Sequence, residues 1–411
     1  MIFSLAEGET GVSVRPVQLF SRPRLATYLS VVLSLLVVVT CMLPSGTVFN
    51  INYKLMIVLI SVAGLGVALV FRRHIGARSL SFLASVIMLC LLLSVWLLIG
   101  WINGYPLAPD QYQAMLITLL YPAIICTAVY SGYFTRLRFY KAVVLGFCLY
   151  GLLKLVLIGA LASGVLSYAR LIFYGEVISY VPITQQIVGR IIRIQTILDL
   201  LAPIVIVVVQ RMVLSKSTKY VLYALVFLTV FLSYSRAIWL LSSIPLLYAV
   251  LSRLTRVLVA AMAALLIVAT LLLFGDLNAD VISQRLSGQS VAASDLTRID
   301  QTRSLMEQFD AAPVFGSGLG AHTAVIRDAT HTYSYEVQLI ALLMQTGVVG
   351  AALLSFYLLY LAIRLLNVDK LNLIVFLSWL LSCFTNPYLI SSVSGILLAY
   401  FILQLKERTE P

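Results

Sequence analysis

The chain has 411 residues, of which 61% are hydrophobic and only 11% charged, a balance far outside that of a soluble globular protein. This excludes a water-exposed domain as the body of the molecule and points to a multi-pass membrane protein. The net charge of +12 reads as a topology signal plus attraction to anionic lipid headgroups, and not as a nucleic-acid footprint.

Apolar runs of membrane-spanning length recur along the chain, about twelve in all. Residues 1–24 lack the apolar stretch of a cleaved signal peptide, so the first span, 25–44, is expected to be retained as an anchor. Spans follow at 54–71, 79–101, 112–131, 139–163, 194–213, 218–234, 236–252 and 257–274, and the last three at 335–364, 371–386 and 389–405. Two connectors are long, 164–193 and 275–334. This divides the chain into residues 1–274, with nine spans and an outer loop at 164–193; a large periplasmic loop at 275–334; and residues 335–411, with three spans and a cytoplasmic tail.

Lysines and arginines crowd alternate short loops: Arg22 and Arg24, Arg72 and Arg73, Arg136 and Arg138, Arg211 and Lys216, Arg253 and Arg256, Arg364 and Lys370, Lys406 and Arg408. The positive-inside rule then puts both termini in the cytoplasm and the long connectors outside. All five cysteines fall within spans, which reads as apolar packing and not as a disulfide framework.

The outer loops carry Arg170, Arg190, Arg193, Arg236, Arg285, Arg298, Arg303 and Arg327 against a single lysine, Lys54. Guanidinium grips phosphate oxygens in a planar fork and keeps its charge, so the set suggests an anionic ligand at the outer face. Ordinary salt bridges to the acidic residues of the long loop are the alternative. Arg236 lies with Ser233, Tyr234 and Ser235 in a tight hairpin between two apolar spans, where a charge needs a cavity or a partner. Arg190 and Arg193 sit at the foot of the sixth span on an apolar backing suited to the membrane interface, with Asp199 as a counter-ion for Arg193. Lys154 is a second charge inside a span, either lining a cavity or snorkelling outward.

In the large loop, Ser294 or Asp295 is expected to cap a helix with a stripe of Leu296, Ile299, Met306 and Phe309, closed by Pro313. Arg298 and Arg303 flank opposite edges of that stripe, so helical phase does not choose between them. The glycine-rich turn Gly316–Gly320 offers backbone N–H groups to an anion. His331, Ser334 and Glu336 form a polar knot before the tenth span, with Ser334 placed to cap it and Glu336 to pair with a neighbour. His322, Asp328, His331 and Glu336 lack a recognised metal-ligand spacing, so neither a metal nor another cofactor is indicated.

Arg298, fourteen intervening residues, Pro-Val-Phe-Gly-Ser-Gly-Leu-Gly, then His331-Thr-Tyr-Ser-Tyr-Glu336 and a span opening on Gly347-Val-Val-Gly resemble the signature of the O-antigen ligase and polymerase superfamily. The chain departs from that pattern at Thr302, where an aromatic is common, and at Thr332, where asparagine is common. The resemblance implies an all-α fold of the multispan GT-C type in a Gram-negative inner membrane. It also implies metal-independent transfer of a polysaccharide from undecaprenyl diphosphate to a hydroxyl of lipid A core oligosaccharide at the periplasmic face. By motif position His331 is implied as the catalytic base and Arg236, Arg298 and, less directly, Arg193 as diphosphate ligands. A polymerase using the same donor fits the motifs as well. A transporter is the reading from another class, against which stands the lack of symmetry between the chain's halves.

Overall fold

The computed structural model describes residues 22–43, 47–48, 51–70, 77–167, 169–171, 183–188, 191–233, 235, 238–243, 245, 292–326, 331–384 and 386–405. In chain order the elements are α1 (Arg22–Met42), β1 (Thr47–Val48), β2 (Ile51–Asn52), α2 (Tyr53–Val70), α3 (Ala77–Ile102), α4 (Ala108–Tyr130) and α5 (Arg136–Ala162). Then come β3 (Ile183–Val188), β4 (Ile191–Gln195), a 3-10 turn (Ile197–Leu201), α6 (Ala202–Arg211), α7 (Lys216–Phe231) and α8 (Ala292–Ala311). The chain closes with α9 (Gln338–Val368), α10 (Lys370–Ser382) and α11 (Ser392–Gln404). Among these, α1 to α5 and α9 are the six helices long and apolar enough to cross a membrane, and α10 and α11 are shorter apolar helices. The expected span at 257–274 and most of that at 236–252 lie outside the described residues.

Helix starts are written locally. Thr135, Ser215, Asp369 and Ser391 each accept a backbone N–H of the first turn they precede, opening α5, α7, α10 and α11. The helices then pack by their apolar faces: α1 lies along α5 and α2, α4 along α11 and α3, and α5 along α7 and α6. At the end where α6 stops, Arg211 pairs with Asp369 and donates to Gln404 Oε1 at 2.8 Å, tying α6 to the α9–α10 junction and α11.

The expected helical span at 194–213 is not one helix. Ile191–Gln195 pairs antiparallel with Ile183–Val188, the 3-10 turn follows, and α6 covers only ten residues, Ala202–Arg211. The cause is local sequence. Ile191, Ile192 and Ile194 favour a pleated backbone, and Thr196 and Asp199 close a capping box, with Asp199 Oδ2 accepting the Thr196 N–H at 3.1 Å.

The backbone of Arg193 pairs with Gln185 in the hairpin, and its side chain, the expected partner of Asp199, lies outside the described residues; the described cation beside Asp199 is Lys154. The Nζ atom lies 3.0 and 3.2 Å from the two Asp199 oxygens and donates to the Thr229 carbonyl at 2.8 Å, and both side chains are wholly buried. Tyr150 donates its hydroxyl to Asp199 Oδ1 at 2.8 Å and accepts from Thr196 Oγ1 at 2.8 Å. Lys154 thus does not snorkel: it locks the non-helical segment against α5 and α7.

Candidate functional site

The glycine-rich turn is built into a broken helix. Gly347 sits inside α9 at φ 65° and ψ −172°, a conformation that side chains rarely adopt, and it interrupts the ladder of backbone bonds. The turn repairs the ladder from outside. Ser317 and Gly318 donate their N–H groups to the Met344 and Gln345 carbonyls at 3.0 and 2.9 Å, while Pro313 and Val314 carbonyls accept from Val348 and Val349 at 2.9 and 3.1 Å. A methyl on Gly316 would fall 2.5 Å from the Gln345 carbonyl, so backbone meets backbone here with no room for a side chain. In a membrane, a break of this kind persists only where its polar groups find partners inside the protein.

Neighbouring helices complete the splice. Trp96 Nε1 donates to the Phe315 and Thr346 carbonyls at 2.9 Å each, Asn103 donates to Ser317 at 2.9 Å, and the Trp96 carbonyl accepts the Leu319 N–H at 2.9 Å. Buried Gln111 accepts the Gly320 N–H at 2.6 Å and donates to Gln345, which in turn donates to the Ala321 carbonyl at 3.0 Å. The N–H groups of residues 316 to 321 all have protein acceptors. The turn is therefore no anion cradle, contrary to the expectation from its glycines. It is the joint that holds α8 and the His331 segment on α3, α4 and α9.

The α8 helix begins at Ala292, two residues before the expected caps, and its inner face is not the expected stripe. Leu296 and Ile299 are more than half exposed, whereas Gln301 and Leu305 are fully buried. Leu305 packs with Tyr335, Val337, Ala341 and Met344, with Phe309 alongside. Tyr335 is the anchor of the polar knot: its hydroxyl accepts the Thr323 N–H at 2.7 Å, and burial pushes its phenol above the usual range.

This phase separates the two loop arginines. Arg298 turns towards the knot and pairs through Nε with Glu336 Oε2 at 2.7 Å, with the two side chains 28% and 16% exposed. Arg303 lies on the exposed side of the helix. His331 is exposed five residues before Glu336, in a turn closed by the Ser334 N–H donating to its carbonyl at 2.9 Å, and its ring meets Tyr333 edge-on. Ser334 is not the cap of α9: Val337 holds that position and gives no side-chain bond. His322 faces away onto Tyr105, and no three potential metal ligands come together among the described residues.

Tyr234, Arg236, Arg190 and the Arg193 side chain lie outside the described residues. Gln301 was not singled out by sequence, and Thr332 only as a departure from the family pattern, yet both amide atoms of Gln301 and Thr332 Oγ1 are buried without a hydrogen-bond partner among the described residues. For Gln301 the usable signal is its spacing, three residues after Arg298 on a helix. A cavity of about 670 Å³ between α3, α4, α9 and α11, with Arg364 and Tyr360 in its wall, contains none of these groups.

Residues 221–355, about a third of the chain, match the O-antigen ligase family. That segment is similar to the O-antigen ligase family. It takes in α7 from Val221 on, α8, the glycine joint, the His331–Glu336 knot and the broken first half of α9. Comparison with curated proteins gives no match. Similarity to the O-antigen ligase family, together with six described helices long and apolar enough to cross a membrane, supports a multi-pass membrane protein with a ligase- or polymerase-type function.

Proposed function

We propose that the protein is an O-antigen ligase that transfers polysaccharide from undecaprenyl diphosphate to a hydroxyl of lipid A core oligosaccharide. The reaction takes place on the periplasmic side of a Gram-negative inner membrane. The observation that carries this reading is the pairing of Arg298 with Glu336 beside exposed His331, inside the family segment.

In this reading the acceptor oxygen attacks the anomeric carbon as the carbon–oxygen bond to the diphosphate breaks. The leaving diphosphate takes the bonding electrons and the ring centre inverts. His331 takes the acceptor's proton, a task suited to an imidazole near neutral pH. Arg298, with its plane oriented by Glu336, meets the charge that grows on the leaving group, and Arg236, Arg193 and Arg190 join it from the other outer loops. Guanidinium groups carry the neutralisation, so the mechanism runs without a metal.

The test is transfer by purified protein reconstituted with lipid-linked donor and core acceptor, followed by mass analysis of the product. His331→Ala is expected to lower turnover by about 10²- to 10⁴-fold with the protein still folded. Undiminished transfer by that variant would sink the assignment of the base, and growth of polymer on the carrier would assign the chain to the polymerases.

A further inference from the structure

We propose that Gln301 recognises the sugar attached to the donor diphosphate, an inference that rests on the diphosphate reading of Arg298. Its side chain is fully buried, and neither its amide nitrogen nor its amide oxygen has a partner among the described residues. Among the described residues Thr127, Ser242 and Trp379 each leave one buried polar atom without a partner, whereas Gln301 leaves two, one a donor and one an acceptor. Gln301 lies one helical turn from Arg298 and one from Leu305, on the face that meets Tyr335 and α9. Thr332, next to His331 in the chain, contributes a second buried hydroxyl without a partner.

The chemistry of the vacancy names the ligand class. A primary amide presents two donors and an acceptor side by side, and a threonine hydroxyl can do either. Phosphate oxygens at neutral pH only accept, so a diphosphate satisfies half of the amide at most. Sugar hydroxyls both donate and accept, and an acetamido substituent matches an amide on both sides. The group that completes Gln301 is therefore the first sugar ring. An apolar residue of similar volume would fill the same space without the desolvation cost of an orphaned amide.

The Arg298–Glu336 pair, reached from Gln301 by one helical turn, is partly exposed where Gln301 is not. Partly exposed pairs are weak. A diphosphate held by Arg298 would bring the sugar it carries within a helical turn of the amide, so the anion would be gripped first and the sugar read second.

The experiment compares the binding of two probes to the reconstituted full chain: a polyprenyl diphosphate bearing its first sugar, and the same carrier without it. In Gln301→Leu the affinity for the sugar-bearing carrier is expected to fall about tenfold, the size of one buried hydrogen bond. The bare carrier should bind as to wild type, and the thermal unfolding midpoint should be unchanged or higher. Thr332→Val is expected to repeat the pattern at smaller amplitude. Equal loss for both carriers, no loss for either, or a drop in unfolding midpoint with both affinities intact would overturn the inference and make the amide structural. Wild-type protein that binds neither carrier would instead bring down the diphosphate reading, and this inference with it.

Discussion

Lys154–Asp199 and Arg298–Glu336 are both acid–base pairs in a membrane protein, and they are built in opposite ways. The first is wholly buried, with Tyr150, Thr196 and the Thr229 carbonyl as partners on every side. The second is partly exposed, with Gln301, whose amide has no partner among the described residues, one helical turn from Arg298, and exposed His331 five residues before Glu336 in the chain. A saturated pair in a sealed site has no valence left for a ligand and acts as a fastener. A partly exposed pair at a surface can be reached by a ligand that arrives later.

Substitutions can break that contrast. Asp199→Ala should have the largest effect, leaving the Lys154 ammonium buried without its carboxylate and costing about 3–5 kcal/mol of stability, read by thermal unfolding in detergent. Arg298→Ala should lower transfer by about 10²- to 10³-fold, the loss of one preorganised electrostatic contact. Its unfolding should shift by less than about 1 kcal/mol, since the pair is partly exposed. If Arg298→Ala unfolds the protein as Asp199→Ala does, the two pairs are alike and the contrast fails.

Gly347→Ala tests the joint that carries the second pair. The added methyl would fall 2.3 Å from the Val314 carbonyl oxygen at a positive φ, and about 3 kcal/mol of destabilisation is expected, seen in the same unfolding assay. Arg303→Ala should do least, changing stability by under about 0.5 kcal/mol and leaving transfer near wild type. Strong loss of transfer in Arg303→Ala would reverse the choice between the two arginines.

Much of the architecture was readable from the chain. The first five spans and the one opening near residue 338 lie close to where apolar length placed them, because crossing a membrane demands an apolar helix of about fixed length, while those expected at 371–386 and 389–405 are shorter apolar helices. The sixth was misread, since its hydropathy is that of a span while its isoleucines and the Thr196–Asp199 box favour a hairpin and a turn. The stripe of α8 was misread for a related reason. Leu296, Ile299 and Met306 form an apolar row as good as that of Leu305 and Phe309, and sequence does not say which row meets α9. With the phase undecided, Arg298 and Arg303 were equivalent, and Gln301 had no reason to be noticed.

What the sequence determined by itself was the membrane class, most of the helix positions, the family resemblance and the His331–Glu336 knot. These depend on hydrophobic length and on residue spacing along one segment. Tertiary structure decided which charges are fasteners, that the glycines serve a helix break instead of an anion, and that Arg298 faces Glu336. Each of those depends on partners from distant segments: Lys154 and Asp199 from α5 and the 3-10 turn, the glycine turn and Gly347 from either side of the knot. A hydrogen bond forms only where two groups meet, and the chain's order does not record which distant groups do.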